Sequence, residues 1–320
     1  MSKKCLGCGS ELQNTDINAI GYVKNLSFDR CERCFRQDNY NETVEVTLKY
    51  SNDDILNKIN NFKGLVFFLV DFITLTDEVF STYHKINDPK ILIVNKSDII
   101  FRYIKKESIR KFIKEKYNVL EDIIFVSSLN NKNIEHIKNI VLENKKVCFA
   151  GYSNVGKSTF LKKLAKLFSK DLLLTTSNTI NTTTDFIEFE IGKTLCMDTP
   201  GFNFNNKSLT NKLLKKANPK KVIKPIIIQA KDNDIISIGD EIFINVLKKC
   251  NLVFYMSNSL VIKKIYNKNI HFMTEVNITD ECDLILKGVG FINIKSKTKV
   301  KLNISNDDIL VRDSMFGWGK

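Results

Sequence analysis

The stretch GYSNVGKST, residues 151–159, limits this chain more than any other, because the glycines of Gly151-x4-Gly156-Lys157-Ser158 let backbone N–H groups wrap an oxyanion. It sits in KKVCFAGYSNVGKSTFLKKLAKLF (145–168), after a short apolar run and before Phe160, Leu161, Leu164, Leu167 and Phe168 at helical spacing. Strand, glycine loop and helix in that order predict an α/β domain with a parallel sheet. A chance match to the motif is on the order of one per cent by average composition. Lys157 can reach β and γ phosphate oxygens and the Ser158 hydroxyl can ligate Mg²⁺, so Gly151, Asn154, Val155, Gly156, Lys157, Ser158 and Thr159 are the candidate phosphate contacts.

Three further stretches fit the same chemistry. TLCMDTPG (194–201) reads as a strand ending in Asp-x-x-Gly, with Asp198 placed for the Mg²⁺ shell and Gly201 able to bring a bare N–H to a γ-phosphate. ILIVNKSD (91–98) reads as a strand carrying Asn95-Lys96-x-Asp98 at its C-terminal end, the edge where α/β sheets bind ligands. The Asp98 carboxylate can accept from guanine N1–H and N2–H₂, which adenine does not offer, and the Lys96 stem can lie along the base. IIFVSSLN (123–130) offers the backbone N–H groups of Ser127, Ser128 and Leu129 to guanine O6, a weak match by itself. The threonines of TTSNTINTTTDF (175–186) form a switch-like segment that can sense γ-phosphate and Mg²⁺.

The order of these pieces is unusual. In ordinary P-loop GTPases the phosphate loop comes first, whereas here the guanine-reading elements precede it and the switches follow. A parallel sheet can be cut at one loop and rejoined through its old termini with the pocket intact, so the reading is a circular permutation. The chain then leaves the nucleotide domain just after DTPGF and runs directly into the C-terminal segment.

At the other end, CLGC and CERC place Cys5, Cys8, Cys31 and Cys34 as two C-x2-C knuckles, the pattern of a closed, structural Zn²⁺ site. A disulfide pair or a redox dithiol are the other readings; no thioredoxin-like βαβ pattern surrounds either pair. Cys148, Cys196, Cys250 and Cys282 stand singly among apolar neighbours, as small buried hydrophobes do. From about residue 216, runs such as KPIIIQ, NLVFYMSN, GVGFINI and KVKLNI predict a mainly β region. The expected domains are a finger at 1–42, a permuted nucleotide domain at 43–215 and a basic, mainly β domain at 216–320.

The formal net charge is +13, from 49 Lys+Arg against 36 Asp+Glu, a field that attracts polyanions such as RNA. A Lys-, Asn- and Ile-rich composition of genomic origin is the plainer account. No apolar run is long enough for a bilayer span, and MSKKCLGCGS lacks the apolar core of a secretory signal, so the expected location is the cytoplasm.

Zinc-type CxGC and CxRC pairs, NKxD, GxxNVGKST, DTPG and a basic C-terminal region, in that order, resemble the YqeH-type circularly permuted GTPases. ERCFRQDNYNE (32–42), TTDFIEFE (183–190) and VRDSMF (311–316) extend the resemblance to nearly the whole chain. It implies a GTPase of small ribosomal subunit assembly that uses GTP, Mg²⁺ and Zn²⁺, with rRNA or the nascent subunit as partner. It also implies Thr183 as the switch threonine that joins Ser158 and Asp198 on Mg²⁺, and Asn154 as the residue that holds K⁺ beside the phosphates. The family's Pro-Gly before that threonine is Ile180-Asn181 here, and Phe202 stands where Ras-like enzymes carry a water-orienting Gln. Two rival functions follow: a nucleotide-gated RNA-binding scaffold with negligible turnover, and a tRNA-modifying GTPase, which needs a cofactor module not found in the sequence.

Overall fold

A computed structural model describes all residues except 1, 2, 4, 6–9, 18, 20, 33, 34, 36–49, 74, 101–103, 169–184, 205, 206, 220, 267, 268 and 317–320. Cys8, Cys34 and Thr183 therefore lie outside the described residues. The chain divides into two compact units, one of residues Met1–Val70, Thr82–Asn95 and Glu121–Asn203, the other of Asp71–Ser81, Lys96–Leu120 and Phe204–Lys320.

In chain order the elements begin α1 (Asn52–Phe62), β1 (Leu65–Asp71), α2 (Asp77–His84), β2 (Lys90–Asn95), α3 (Lys106–Tyr117) and β3 (Ile123–Phe125). They continue with α4 (Ile134–Glu143), β4 (Lys146–Gly151), α5 (Lys157–Phe168), β5 (Ile187–Ile191) and β6 (Thr194–Asp198). Among the described residues the first unit holds a six-stranded sheet in the order β3-β2-β1-β4-β6-β5. The pairs β1/β4, β2/β3 and β4/β6 are parallel and β5/β6 is antiparallel.

Buried parallel strands need apolar residues on both faces. The LVFFLVD sequence of β1 meets that need, with Val66, Phe67, Phe68, Leu69 and Val70 all buried and Phe67 stacked on Phe149 of β4 at 5.5 Å. Helix α5 turns Phe160, Leu161, Leu164 and Phe168 inward, as its spacing predicts. Helix α1 opens with a capping box in which Ser51 Oγ accepts from the Asp54 N–H at 3.1 Å and the Asp54 carboxylate accepts from the Ser51 N–H at 2.9 Å.

From β4 the chain moves outward to β5 and β6 on one side, whereas β1 leads to β2 and β3 on the other. The C-terminal ends of β1 and β4 thus form the switch point where such sheets bind ligands. The permuted order leaves this point undisturbed, since β1 and β4 are neighbours in register from Leu65↔Val147 to Leu69↔Gly151.

The second unit contains α6 (Asn211–Ala217) and strands β7 (Ile226–Ala230), β8 (Asp234–Ile238), β9 (Ile242–Val246), β10 (Cys250–Met256) and β11 (Ile262–Ile265). It goes on through β12 (Thr274–Ile278), β13 (Cys282–Leu286), β14 (Gly290–Ile294), β15 (Thr298–Leu302) and β16 (Ile309–Asp313). Two antiparallel sheets, β16-β13-β14-β10-β7 and β11-β8-β9-β15-β12, share one apolar core that includes Ile244, Phe254, Leu284, Ile292 and Val300. The mainly β reading of the C-terminal region holds. Leu213 and Ala217 of α6 already belong to that core.

Segments 71–81 and 96–120 are fastened within the same unit. Phe80 stacks on Tyr117 at 3.9 Å, Tyr117 Oη donates to the Leu75 carbonyl at 2.9 Å, and Lys287 pairs with Glu78 at 2.8 Å. At the centre Arg312 Nε donates to Asp283 Oδ2 at 3.1 Å, with side chains only 1% and 0% exposed, and Arg312 Nη1 donates to the Leu75 carbonyl. The four scattered cysteines are buried, and burial pushes the Cys196 thiol up to about 12 and the Cys282 thiol up to about 11, which suits packing residues and not nucleophiles.

Candidate functional site

The phosphate loop begins where β4 comes too close to β1 for a side chain: a Cβ on Gly151 would lie 2.4 Å from the Leu69 carbonyl oxygen. Asn154 (φ 68°) and Gly156 (φ 90°) both occupy left-handed backbone, asparagine being among the side-chain-bearing residues that best tolerate it. Such turns point successive N–H groups into one concavity just before the N-terminus of α5, a ready anion cradle.

Lys157, the first residue of α5, is 7% exposed, and its ammonium donates to the Asp198 carboxylate and to the Thr199 carbonyl. The lysine that would reach phosphate and the carboxylate that would hold Mg²⁺ therefore converge on one buried spot. Ser158 is half-buried and Thr159 exposed on the same first turn. Gly201 is pressed against the loop, since a Cβ there would meet Ser153 Oγ at 2.8 Å. The backbone is stitched across the gap as well, with Ser153 N–H donating to the Phe202 carbonyl at 2.8 Å and Phe202 N–H to the Gly151 carbonyl at 3.1 Å.

Phe202 is fully buried, beside Tyr152 at 5.6 Å and Phe68 at 6.1 Å. Its ring is a packing element, in keeping with an apolar residue that cannot orient water. Asn203 follows as a junction: its Oδ1 accepts from Ser153 Oγ at 2.9 Å, its Nδ2 donates to the Gly201 carbonyl at 3.1 Å, and it exchanges two amide bonds of 2.9 and 3.0 Å with Asn52 of α1. Asp185, just after the threonine-rich segment, accepts from Tyr50 Oη at 2.7 Å.

Asn95, fully buried at the end of β2, joins the two halves of the motif set. Its Nδ2 donates to the Val155 carbonyl at 2.9 Å and its Oδ1 accepts from Ser128 Oγ at 2.9 Å. Ser127 is buried and its N–H is committed to the Lys132 carbonyl at 3.2 Å, so a guanine O6 would have to be met by the N–H groups of Ser128 and Leu129. Leu129 is 63% exposed. Lys96 and Asp98, one and three residues beyond Asn95, belong to the second compact unit. There Lys96 adopts φ 53° and its Nζ lies 3.0 Å from Asp71 Oδ2 and 2.9 Å from Asn218 Oδ1. The Lys96 carbonyl accepts from the Ile99 N–H at 2.9 Å, closing the turn that carries Asp98.

In the N-terminal segment Cys5 and Cys31, one from each C-x2-C pair, pack in one small buried cluster with Leu12 and Val23, and Cys31 N–H donates to Cys5 Sγ at 3.1 Å. Among the described residues no group of three or more His, Cys, Asp or Glu is placed to hold a metal, with Cys8 and Cys34 outside that set. Sequence reasoning did not find Asp71, Asn203 or Asn218, which stand in no motif and are singled out only by their contacts.

A family model described as RsgA GTPase matches residues 74–208. The protein YqeH of Bacillus subtilis (strain 168) is 30% identical over 299 residues, which cover 85% of this chain and 80% of that protein. A crystal structure of YjeQ from Thermotoga maritima aligns at 24% identity over 43% of this chain and 48% of that one, with a TM-score of 0.29. Identity to YqeH across most of both chains, on top of a phosphate loop, an Asp-x-x-Gly turn and an NKxD strand in permuted order, has one conclusion: the chain belongs to the YqeH/RsgA-type circularly permuted GTPases.

Proposed function

We propose that this GTPase acts in assembly of the small ribosomal subunit, with its nucleotide state controlling its hold on rRNA or the nascent particle. The observation that carries the nucleotide part is the convergence of Lys157 and Asp198 beside a loop that opens at Gly151, where there is no room for a side chain. In this reading Lys157 and the loop N–H groups hold the phosphates, Ser158, Thr183 and Asp198 hold Mg²⁺, Lys96 and Asp98 read the guanine, and Asn154 holds K⁺. Mg²⁺ and K⁺ would offset charge developing on the transferred phosphoryl group. The +13 net charge supports an RNA-bearing partner, and a cytoplasmic site of action goes with a ribosomal one. Among the described residues no helix is long and apolar enough to cross a membrane. Burial of Phe202 favours the second reading, a nucleotide-gated RNA-binding scaffold with negligible turnover.

One experiment separates the two. At constant ionic strength, single-turnover hydrolysis of GTP should run faster in K⁺ than in Na⁺, and Asn154→Ala should erase that difference while GTP still binds. In parallel, affinity for small-subunit particles should differ between a non-hydrolysable GTP analogue and GDP by about 1–3 kcal/mol. Equal rates in both cations remove the potassium role, and equal affinities in both nucleotides remove the assembly switch.

The finger reading rests on the two C-x2-C pairs and on the packing of Cys5 against Cys31. Four thiolates would leave no open position on Zn²⁺, so the metal's contribution would be to folding. Protein purified without added zinc should carry about one equivalent by that ligand count. Well-folded, metal-free protein whose stability is unmoved by Cys5→Ser ends this assignment.

A further inference from the structure

We propose that Asn218 is a positioning residue for guanine recognition, holding Lys96 in place and so letting the segment after α6 set nucleotide affinity. The proposal rests on the reading of Lys96 and Asp98 as the base-contacting pair.

The Lys96 side chain is largely buried, and its ammonium lies between two acceptors, Asp71 Oδ2 at 3.0 Å and Asn218 Oδ1 at 2.9 Å. Asp71 is itself fixed, because its other carboxylate oxygen accepts from the Ile73 N–H at 3.0 Å. The turn that carries Asp98 is strapped to the same segment: Ile223 N–H donates to the Ile99 carbonyl at 3.1 Å, and Ile73, Ile99 and Ile223 form a closed apolar cluster. Asn218 is the C-cap of α6, its N–H donating to the Lys215 carbonyl, and α6 is anchored through Leu213 and Ala217 in the β core. One unbroken series of contacts thus runs from that core to the ammonium of Lys96.

A lysine stem that is to lie along a base must first be ordered, and a long flexible side chain gives up much rotamer freedom when it is. Two acceptors on the ammonium impose that order on folding, before the nucleotide arrives, which is how preorganisation raises affinity. Without Asn218 Oδ1 the ammonium loses one of the acceptors that fix it, and the stem is held less firmly beside the Asp71 carboxylate. Nothing in this arrangement touches the γ-phosphate, so the effect belongs to binding and not to the chemical step.

Asn218→Ala should weaken GDP and GTP binding by a similar factor, roughly three- to tenfold, the worth of one ordinary hydrogen bond, since the lost contact acts on the base only through the lysine stem. KM for GTP should rise with it, while the single-turnover rate of fully bound GTP stays at the wild-type value. Asn218→Asp, nearly isosteric and still an acceptor, should bind GDP at least as tightly as wild type. Wild-type affinity in Asn218→Ala, a slower bound-state rate without loss of affinity, or weaker binding in Asn218→Asp overturns the proposal. If Asn218→Ala does not fold, the Asn218→Asp result decides alone. Asp98→Asn measured alongside separates the causes. An unchanged guanine preference there means that the base reading has failed, whereas a changed preference with wild-type affinity in Asn218→Ala means that only the positioning role has.

Discussion

Asp98→Asn should shift nucleotide preference from GTP toward xanthosine triphosphate by several orders of magnitude. In the proposed reading the carboxylate offers acceptors to guanine N1–H and N2–H₂, and an amide replaces one acceptor with a donor that faces another donor. Xanthine carries an oxygen at C2 and accepts from that amide. A site built to pair a polar group rejects an analogue that leaves it unpaired by roughly 10⁴-fold, which is the size of change to look for. The turn bearing Asp98 is closed by its own backbone hydrogen bond between Ile99 and Lys96, so the substitution should leave the fold intact. Competition between GDP and xanthosine diphosphate for the variant reads the effect. A variant that still prefers GDP places the base elsewhere.

Arg312→Met should cost about 3–5 kcal/mol of stability at neutral pH, because it strands a buried carboxylate. Asp283 is fully buried and accepts from Arg312 at 3.1 Å and from Asn293 Nδ2 at 3.0 Å. The guanidinium also lies 4.9 Å from the ring centre of Phe291 and 5.4 Å from that of Phe112, so packing is lost with the charge. Burial holds the Asp283 carboxyl above the ordinary range and Arg312 opposes it, so the variant's carboxyl should rise further. An acid whose folded pKa is raised destabilises the fold at pH values above its unfolded pKa. The deficit should therefore be fully present above the variant's raised folded pKa and shrink as pH falls below it toward about 4. Urea unfolding across pH measures it, and the double variant Arg312→Met with Asp283→Leu should recover most of the loss, since no charge is then stranded. A deficit that grows on acidification, or a double variant no better than the single, contradicts this account.

The nucleotide elements were legible because each is short and chemically dictated. Glycines mark the phosphate loop, an apolar stripe marks α5, Asp198 ends β6, and Asp98 follows the end of β2 by three residues. The permuted order was legible too, since it needs only the sequence positions of those motifs. What stayed hidden was how the pieces are held. Periodicity says that Phe80, Phe112 and Tyr117 face inward, but it does not say that they face a unit built mostly of residues beyond 203. In the same way, NKxD singles out Lys96 as a candidate and carries no trace of Asp71 or Asn218, whose partnership with it exists only once distant segments meet. Phe202 was recognisable as an apolar residue in the place of a water-orienting Gln, yet its burial beside Tyr152 and Phe68 needed the sheet to be assembled first.

The place of β4 between β1 and β6 has a consequence for how the chain comes into being. The two neighbours of the phosphate-loop strand lie on either side of it in sequence, so the shortest contiguous stretch containing all three runs from Leu65 to Asp198. During synthesis, which proceeds from the N-terminus, the strands that lead to the NKxD residues emerge first and the phosphate loop only after them. β4 can pair with β1 as soon as it appears, but its other edge stays open until Thr194–Asp198 has followed. Asp198, the partner of Lys157, is thus the last residue of the sheet to arrive, and in a nascent chain the phosphate-loop lysine has no carboxylate to meet until the whole sheet has been made.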